Sequence, residues 1–409
     1  MNCGYIDPQP PKPCPIRTGP KCLRTRYDAL VVGTGPAGSV LAYRLARAGL
    51  NVGVLERGRA QQTGTFPESP GELLSQAQLW RHGRRVGPAD GLFDLRVFDD
   101  LMVLTGCGVG GTSLINASVS VVPDESVMGD RRWPTAIRED PEWPHDFDRV
   151  GSMVGTTPLP DGRRVDKLTA LEAMAEAEEV GGVVQRAPLN VAFEDGFNST
   201  GEYMTACNGC GNCMTGCNVG AKQTYDRNYL YGARRLGASV FARCSVQRVE
   251  ATAHGWAVVV ADTMDPSVQR RVEADQVLLA AGALGSTEIL LRSRAVGLDV
   301  SPMLGQRFSG NGDLIAWGFD TDAHVGSVGV PGDSGDGWLG VGPTITGMIR
   351  GTPKDAAPDD PGVDAWMMQD GTVPVAFARL TPLLIAISAI LDKLPLNEGP
   401  GRIRDWLRS

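Results

Sequence analysis

The fold is decided by residues 28–58, which read DALVVGTGPAGSVLAYRLARAGLNVGVLERG. The stretch opens with a short apolar run at residues 29–32, bounded by a glycine-rich turn, as is typical of a buried parallel strand. Apolar residues then recur with the spacing of one helix face until Gly49, a residue type that commonly ends helices. A second apolar run at residues 52–55 completes a predicted strand–helix–strand unit.

The turn between the first strand and the helix contains Gly33, Gly35 and Gly38 in a GxGxxG pattern, and Glu56 ends the next strand. The first glycine permits a tight turn, the second lets backbone approach a pyrophosphate, and the third lets the helix pack on the strand. Glu56 is placed to accept hydrogen bonds from ribose hydroxyls. The alternative is a glycine turn that serves packing alone. With strand, helix and acid all present, the pattern predicts dinucleotide binding without choosing between FAD and NAD.

Bulk composition bounds the class of protein. The 409 residues are 42% hydrophobic and 21% charged, as is typical of a globular protein, and the length predicts two domains. A formal net charge of −8 argues against nucleic acid as the main partner, because phosphate binding requires a basic surface. Residues 1–26 are rich in proline and lack the apolar core of a signal peptide. We therefore expect an extended, poorly ordered lead-in and a reducing, cytoplasmic location in which the nine cysteines are mostly free thiols.

The rest of the chain changes character several times. Residues 61–100 are polar and are predicted to be irregular. Residues 123–198 are rich in proline and charge and are predicted to begin a second domain, with one helix closed by Gly181. Strand candidates at residues 240–251 and 256–261 precede a further strand, glycine turn and helix at residues 274–293. The nucleotide-binding domain is predicted to resume there.

Three motifs in this order resemble the glucose-methanol-choline (GMC) family of flavin oxidoreductases: residues 28–58, TGCGVGGTSLINASV at 105–119 and VLLAAGALGSTEILLRS at 277–293. The resemblance is strongest to the cholesterol oxidase-like branch and covers residues 27–409. It implies an α/β fold with a discontinuous, Rossmann-like FAD-binding domain at residues 27–122 and 201–318. An α+β substrate domain would consist of residues 123–200 and 319–409 and would be incomplete at its C-terminal end.

The resemblance also implies roles for individual residues. It assigns Gly33, Gly35, Gly38 and Glu56 to the adenosine diphosphate half of FAD. Further contacts with the flavin or the adenine are implied for Gly108, Gly110, Gly111, Asn116, Val246, Ala281 and Gly282. Gly110 and Gly111 have no side chains to block a flat ring, and Asn116 is able to hydrogen-bond it. The alternative for this second glycine run is a tight turn alone.

A second constellation lies in CNGCGNCMTGCNVGAKQT at residues 207–224, where Cys207, Cys210, Cys213 and Cys217 form a CxxCxxCxxxC pattern. The interleaved glycines favour a loop with amides and sulfurs turned inward. The spacing is that of bacterial ferredoxins, where the fourth cysteine ligates another cluster; one cluster here would need that ligand to fold back. Structural zinc sites usually separate two short pairs. An iron–sulfur cluster, zinc, and inert or disulfide-bonded thiols remain open, and a cluster near the flavin would favour a dehydrogenase.

Alcohol oxidation by hydride transfer requires a base for the hydroxyl proton. In the GMC family a flavin-facing histidine comes near the C-terminus, and the resemblance predicts that this chain is truncated before that segment. In MMQDGTVP at residues 367–374, Gln369 stands where cholesterol oxidases carry their base, and glutamine cannot accept a proton. Asp370 is the candidate substitute, with turn formation as its alternative role.

The sequence thus predicts an FAD-dependent oxidoreductase acting on CH–OH groups, with a sterol-like secondary alcohol as substrate and oxygen or a redox partner as electron acceptor. The alternative is a truncated, non-catalytic protein that binds FAD or transfers electrons through an iron–sulfur cluster. Residues 373–391 are apolar but too interrupted to span a bilayer. They predict either a core helix pair or a lid that makes peripheral contact with a membrane surface.

Overall fold

The structure is a computed structural model that describes residues 12–99, 101–176, 183–316, 322, 324–335, 337–351 and 366–378. Its strands in chain order are β1 (Arg17–Thr18), β2 (Arg26–Val32), β3 (Val52–Leu55), β4 (Ala77–Arg81), β5 (Arg84–Val86), β6 (Phe93–Val97), β7 (Met102–Gly106), β8 (Val184–Arg186), β9 (Gly196–Phe197), β10 (Tyr203–Met204), β11 (Ser239–Ala242), β12 (Cys244–Thr252), β13 (Gly255–Asp262), β14 (Gln269–Leu279), β15 (Gly347–Gly351) and β16 (Trp366–Gln369). Its α-helices are α1 (Pro36–Arg47), α2 (Pro70–Ser75), α3 (Glu125–Met128), α4 (Thr135–Arg138), α5 (Trp143–Met153), α6 (Asp166–Ala175), α7 (Tyr229–Arg235), α8 (Gly282–Arg294) and α9 (Val375–Ala378). Short 3₁₀ turns occur at Pro20–Cys22, Gly111–Leu114 and Cys213–Thr215.

The largest sheet has seven strands in the order β1-β11-β3-β2-β14-β13-β12. The first five of these strands run parallel, and β13 and β12 extend the sheet antiparallel. On one face Val31 is buried with Ala42 of α1 and Leu230 of α7; on the other, Leu30 is buried with Ile289 of α8. A largely parallel sheet covered by helices on both faces, built from two separate chain segments, confirms the predicted discontinuous Rossmann-like fold.

Three strand ends define the edge of this sheet where a ligand is expected. In register, Val32 of β2 lies between Leu55 of β3 and Leu279 of β14. The residues that follow these three strands, Gly33, Glu56 and Ala280, therefore lie side by side. Strand β2 has β3 on one side and β14 on the other, so a crevice forms outside the carboxyl ends of these strands. Doubly wound folds bind ligands in such a crevice.

The prediction of irregular structure at residues 61–100 was wrong. This segment holds α2 and, with β7, a four-stranded sheet in the order β5-β4-β6-β7. Ser69 and Glu72 form a capping box at the start of α2. The strands escaped prediction because the sheet is largely exposed: Leu79, Val86 and Met102 all face solvent, so no alternating apolar pattern marks the strands.

Two other boundaries differ from expectation. The predicted strand at residues 240–251 is two strands, separated at Arg243, whose backbone has a φ of +55°. Its side chain turns toward Asp90, with an N–O distance of 2.8 Å. The predicted lead-in is ordered in part, because β1 pairs with β11 and the Gly19 amide donates to the Ala242 carbonyl over 2.9 Å. Residues 1–11 lie outside the described residues.

The remaining regular structure brings distant segments together. Strands β16, β15 and β8 form a three-stranded sheet from the two segments predicted as a substrate domain. Helix α6 packs on it through Leu171, which is buried with Ile349. The predicted helix end at Gly181 and residues 379–391 of the apolar segment lie outside the described residues. Within the described ranges, no helix has the length and apolar character needed to span a membrane.

Candidate functional site

The first glycine turn is closed by backbone contacts that exclude any side chain at two positions. Gly33 has a φ of +101°, and a Cβ there would overlap with the Ala280 carbonyl. A Cβ on Gly38 would overlap with the Gly33 carbonyl oxygen. The turn therefore requires glycine at both positions, as the motif predicts, and it ties the end of β2 to the end of β14.

Gly35 differs from its two neighbours in the motif because it faces open space. A Cβ added there would meet no protein atom within 4 Å. Gly35 is also the N-cap residue of α1, and no side chain caps this helix end. The first-turn amides of this 12-residue helix therefore have no side-chain acceptor, and protein does not fill the space beside Gly35. Free amides and the positive end of the helix dipole suit a phosphate group at this position.

Glu56 is nearly buried, and its carboxylate is already partly used. Oε2 accepts hydrogen bonds from the Thr34 amide over 3.2 Å and the Thr34 hydroxyl over 2.6 Å, and Oε1 accepts one from the Gly58 amide over 2.8 Å. An ionised carboxylate offers about four acceptor positions, so capacity for one ribose hydroxyl remains. The motif did not reveal Thr34, whose hydroxyl also accepts from the Gly110 amide over 3.1 Å.

The second glycine turn packs directly against the first. A Cβ on Gly111 would lie 2.6 Å from the Gly35 Cα, and one on Gly110 would lie 2.7 Å from Oδ1 of Asp226. Both glycines have positive φ values, +114° for Gly110 and +60° for Gly111. Protein atoms therefore fill the space that we expected a flat ring to use at these two residues. Tight packing explains both glycines, and their contact with flavin stays a prediction.

Buried polar atoms without a partner surround this second turn. Among the described side chains, Nε of Arg59, Nε2 of Gln61, Oδ1 of Asp226 and Oγ of Ser118 are buried and make no hydrogen bond. Burial also raises the pKa of Asp226. Buried polar groups in proteins are nearly always paired, so a polar ligand or water is the expected complement. Together with the open space at Gly35, this arrangement fits the diphosphate and ribose of FAD.

The other predicted cofactor residues lie at the rim of the same region or on the adjoining strands. Asn116 is exposed, and its Oδ1 accepts from the Ser118 amide over 3.2 Å. Val246 is buried beside a bulge in β12, and its carbonyl accepts from Arg292 over 3.3 Å. Ala281 is the N-cap residue of α8, and a Cβ on the following Gly282 would meet open space.

All four predicted metal-ligating cysteines line one cavity of about 20 Å³. The cysteine loop, residues 207–217, turns inward at Gly209, Gly211 and Gly216, which have φ values of +73°, +82° and +112°. Cys217 is thus folded back onto the cavity that the first three cysteines line. Burial raises the pKa of Cys207, and it raises that of Cys210 to about 12.

Two buried lysines flank the cysteine loop, and neither was predicted as a site residue. Nζ of Lys222 donates to the carbonyls of Leu114, Asn116 and Cys213 over 3.0, 2.7 and 3.0 Å. Nζ of Lys167 donates to the carbonyls of Pro343 and Thr344 and to the Thr372 hydroxyl. Desolvation lowers the pKa of each lysine to about 8. Lys222 follows the cysteines in the sequence and was detectable, whereas Lys167 lies in an ordinary amphipathic helix.

A second cavity, of about 30 Å³, joins the cysteine loop to the second glycine turn. Cys217 and Lys222 line both cavities, and Asp226, which abuts Gly110, lines the second. A polar cavity of this size has room for an ordered water molecule. Leu114 of the predicted flavin segment and Cys217 of the cysteine loop both line this second cavity, so the segment and the loop are immediate neighbours.

Asp370, the candidate base, is buried at the end of β16. Its carboxylate accepts hydrogen bonds from the amides of Thr346 over 2.6 Å and Gly347 over 3.1 Å, and from the Thr346 hydroxyl. These contacts fasten β16 to β15. They give Asp370 a structural role and occupy three of its roughly four acceptor positions, and proton transfer by Asp370 stays a prediction.

Asp370→Asn separates these two roles. Asparagine keeps an oxygen for the two backbone amides, but it loses the negative charge and replaces the oxygen that accepts from the Thr346 hydroxyl with an NH₂ donor. We therefore expect the free energy of unfolding to fall by about 1–3 kcal/mol. Denaturant unfolding measures the change, with Asp161→Asn as the control, because Asp161 is fully exposed beside Arg186. Unchanged stability together with a lost acid limb in the pH–rate profile would instead support Asp370 as the base.

One family model and three relatives match this chain. A family model described as GMC oxidoreductase matches residues 27–310. A cholesterol oxidase from Acinetobacter baumannii is 30% identical over 326 residues, which is 73% of this chain and 57% of that protein. A cholesterol oxidase from Mycobacterium tuberculosis is 32% identical over 291 residues, 67% and 49% of the two chains. The long-chain-alcohol oxidase FAO3 of Arabidopsis thaliana is 26% identical over 389 residues, 88% and 45% of the two chains. The chain spans about half the length of these relatives.

Proposed function

Because the chain belongs to the GMC oxidoreductase family, we propose that it binds FAD at the carboxyl edge of the seven-stranded sheet and uses it to oxidise a CH–OH group. This proposal rests on the open space beside Gly35, at the start of α1, where no side chain caps the helix. A bound FAD would accept the hydride from the alcohol carbon, and the hydroxyl proton would pass to a base or to water.

The residues of the chain would position this cofactor. The first-turn amides of α1 would hold the diphosphate, and Glu56 would orient the ribose through its remaining acceptor capacity. Asn116, which is exposed beyond the second turn, would hydrogen-bond the flavin. The other cofactor contacts that we propose are Gly33, Gly38, Gly108, Gly110, Gly111, Val246, Ala281 and Gly282. Thr34 would act as a positioning residue, since it joins Glu56 to the second turn.

We propose a bulky apolar alcohol, sterol-like, as the substrate. The cholesterol oxidases and the long-chain-alcohol oxidase among the relatives support this class by their names. The resemblance places residues 307–313 toward the flavin, and this segment and the residues that follow it carry exposed Phe308, Leu314 and Ile315. Such side chains suit an apolar substrate wall. Molecular oxygen or a redox partner would then take the electrons.

Anaerobic flavin reduction tests this function. Purified protein loaded with FAD would be mixed with cholesterol, with dodecan-1-ol, or with sorbitol as a polar control, while the flavin absorbance is followed. Bleaching by cholesterol alone is the expected result, and bleaching by dodecanol alone would replace the sterol with a linear alcohol. Retained flavin that no alcohol bleaches would overturn catalysis. Failure to retain FAD at all would overturn the whole proposal.

A second candidate function is non-catalytic electron transfer, in which the chain holds FAD or an iron–sulfur cluster without alcohol turnover. The observation that favours it is the cavity lined by four cysteines. The same flavin experiment discriminates, because this candidate requires retained flavin that alcohols do not reduce.

For its location we propose the cytoplasm, with peripheral membrane contact through residues 373–391. The support for the cytoplasm is that the eight cysteines within the described ranges are all free thiols. Of the apolar segment, only residues 373–378 fall within those ranges, and α9 packs there with Ala376 buried. Flotation with liposomes containing cholesterol would measure the membrane contact.

A further inference from the structure

Hydrogen bonds from several chain segments hold the cysteine loop in place, and its four cysteines line the cavity. The Cys207 amide donates to the Ala192 carbonyl over 2.8 Å, and the Cys210 carbonyl accepts from the Val330 amide over 2.9 Å. Asn212 is buried, donates to the Val330 carbonyl over 2.6 Å and accepts from the Val375 amide over 2.8 Å. The loop is therefore a fixed element that joins segments more than 100 residues apart in the chain.

The arrangement does not suit a single metal ion. Four thiolates around one zinc ion, with Zn–S bonds of about 2.3 Å, bring the sulfurs to about 3.8 Å from one another. Among the residues that the structure describes, no group of three or more His, Cys, Asp or Glu side chains is placed to hold one ion. No disulfide joins the four cysteines, which are all free thiols. A cluster of several metal ions keeps its terminal sulfurs farther apart and fills the space between them.

Charge around the cavity favours an anionic occupant. Four thiolates with an iron–sulfur core carry net negative charge, which burial penalises unless it is compensated. Both buried lysines bring ammonium groups close to the loop: Lys222 donates to the Cys213 carbonyl, and Lys167 donates to the carbonyl of Thr344, whose hydroxyl donates to the Gly211 carbonyl. Among the described residues, neither lysine pairs with a carboxylate within 4.0 Å. The Gly209 amide already donates to Sγ of Cys207 over 3.4 Å, the type of bond that tunes cluster sulfurs.

We propose that Cys207, Cys210, Cys213 and Cys217 together bind one iron–sulfur cluster in this cavity, with Lys167 and Lys222 compensating its charge. All four ligands belong to a single cluster, because Gly216 folds Cys217 back onto the cavity that the other three line. The ferredoxin arrangement, in which the fourth cysteine serves another cluster, does not apply here.

The position of the cluster gives it a role that rests on the proposed function. Lys222 donates to the carbonyls of Cys213 and Asn116, and Asn116 belongs to the predicted flavin segment at residues 105–119. The cluster would therefore lie against that segment. Two one-electron transfers through the cluster to two ferric haem or ferricenium acceptors would return FADH₂ to FAD with release of two protons. The chain would therefore act as a dehydrogenase with a one-electron acceptor rather than as an oxygen-using oxidase.

Metal analysis tests the site without any requirement for flavin or activity. The full chain would be purified anaerobically, reconstituted with ferrous iron and sulfide, and desalted. We expect iron and acid-labile sulfide in equal amounts, about four of each per chain, and an electron paramagnetic resonance signal after reduction with dithionite. Stoichiometric zinc without sulfide, or no bound metal with four thiols that react only after denaturation, would overturn the proposal.

Single substitutions assign the ligands. Cys210→Ser and Cys217→Ser should each lower bound iron to a small fraction of the wild-type amount, whereas Cys22→Ser and Cys244→Ser, outside the cavity, should retain it. Circular dichroism and thermal unfolding of each variant without metal show whether its fold is intact. If Cys210→Ser does not fold, Cys217→Ser and Cys213→Ala repeat the test. Full iron retention in folded ligand variants would overturn the assignment.

The electron route has its own readout. Under anaerobic conditions, alcohol should bleach the flavin in the wild type and in Cys210→Ser, but ferricenium turnover should be at least tenfold slower in the variant. Absence of bleaching in both would refute the proposed alcohol oxidation and leave the iron analysis unaffected. Equal ferricenium turnover in both would refute the cluster as the electron exit.

Discussion

Gly35→Ala is expected to weaken FAD binding about 10- to 100-fold while leaving the unfolding temperature of the apoprotein unchanged. The added Cβ would meet no protein atom within 4 Å, so the fold has room for it. Gly35 has a φ of −65°, which alanine adopts without strain. The new methyl group would instead occupy the space where the diphosphate has to approach the first-turn amides. Fluorescence titration of the apoprotein with FAD measures the loss of affinity.

Two controls make the Gly35 result specific. Gly71→Ala places a methyl group on α2, again with no protein atom within 4 Å, and should leave FAD binding unaltered. Gly38→Ala should affect folding and not only FAD binding. Its Cβ would overlap with the Gly33 carbonyl, so we expect the fold itself to be lost. If Gly35→Ala keeps its full affinity for FAD, the diphosphate is not bound at this turn.

The predictable parts of the fold are those whose secondary structure depends on residues close together in the sequence. Residues 28–58 make one strand–helix–strand unit, and the apolar spacing, glycines and terminal acid all lie within that unit. Asp226 and Thr34 were not predictable in this way, because each acts on a glycine turn far away in the chain. The sheet formed by residues 77–106 was missed because solvent-facing strands carry no alternating apolar signal.

The candidate site shows the same division. The spacing of the four cysteines identified a wrapping loop, but only the folded chain shows that Cys217 joins the other three at one cavity. Lys167 reaches this region from a distant helix, and its contacts with residues 343, 344 and 372 cannot be inferred from a local pattern. Asp370 was singled out from the local sequence as a candidate base, but its contacts with Thr346 and Gly347, which also give it a structural role, appear only in the folded chain.

Gly216→Ala is expected to lower the free energy of unfolding by about 2–6 kcal/mol and to abolish metal loading of the cysteine loop. Gly216 has a φ of +112° and a ψ of 168°, a conformation that only glycine adopts readily. A Cβ at this position would also overlap with the ring of Phe66. The two costs have different origins, backbone strain and overpacking, so a double-mutant cycle is able to separate them.

Phe66→Leu supplies the second side of that cycle. Leucine removes the ring from the path of the new Cβ but leaves the backbone of residue 216 unchanged. The double variant should therefore recover the part of the unfolding free energy that Gly216→Ala loses to overpacking, about 1–3 kcal/mol. The loss due to backbone strain at residue 216 should remain. Denaturant unfolding of the metal-free chain gives the energies, and iron analysis after reconstitution shows whether Cys217 still reaches the cavity. Strictly additive energies would mean that Phe66 does not fix this turn. Metal loading that survives in Gly216→Ala would mean that Cys217 reaches the cavity without the glycine conformation on which the four-cysteine arrangement depends.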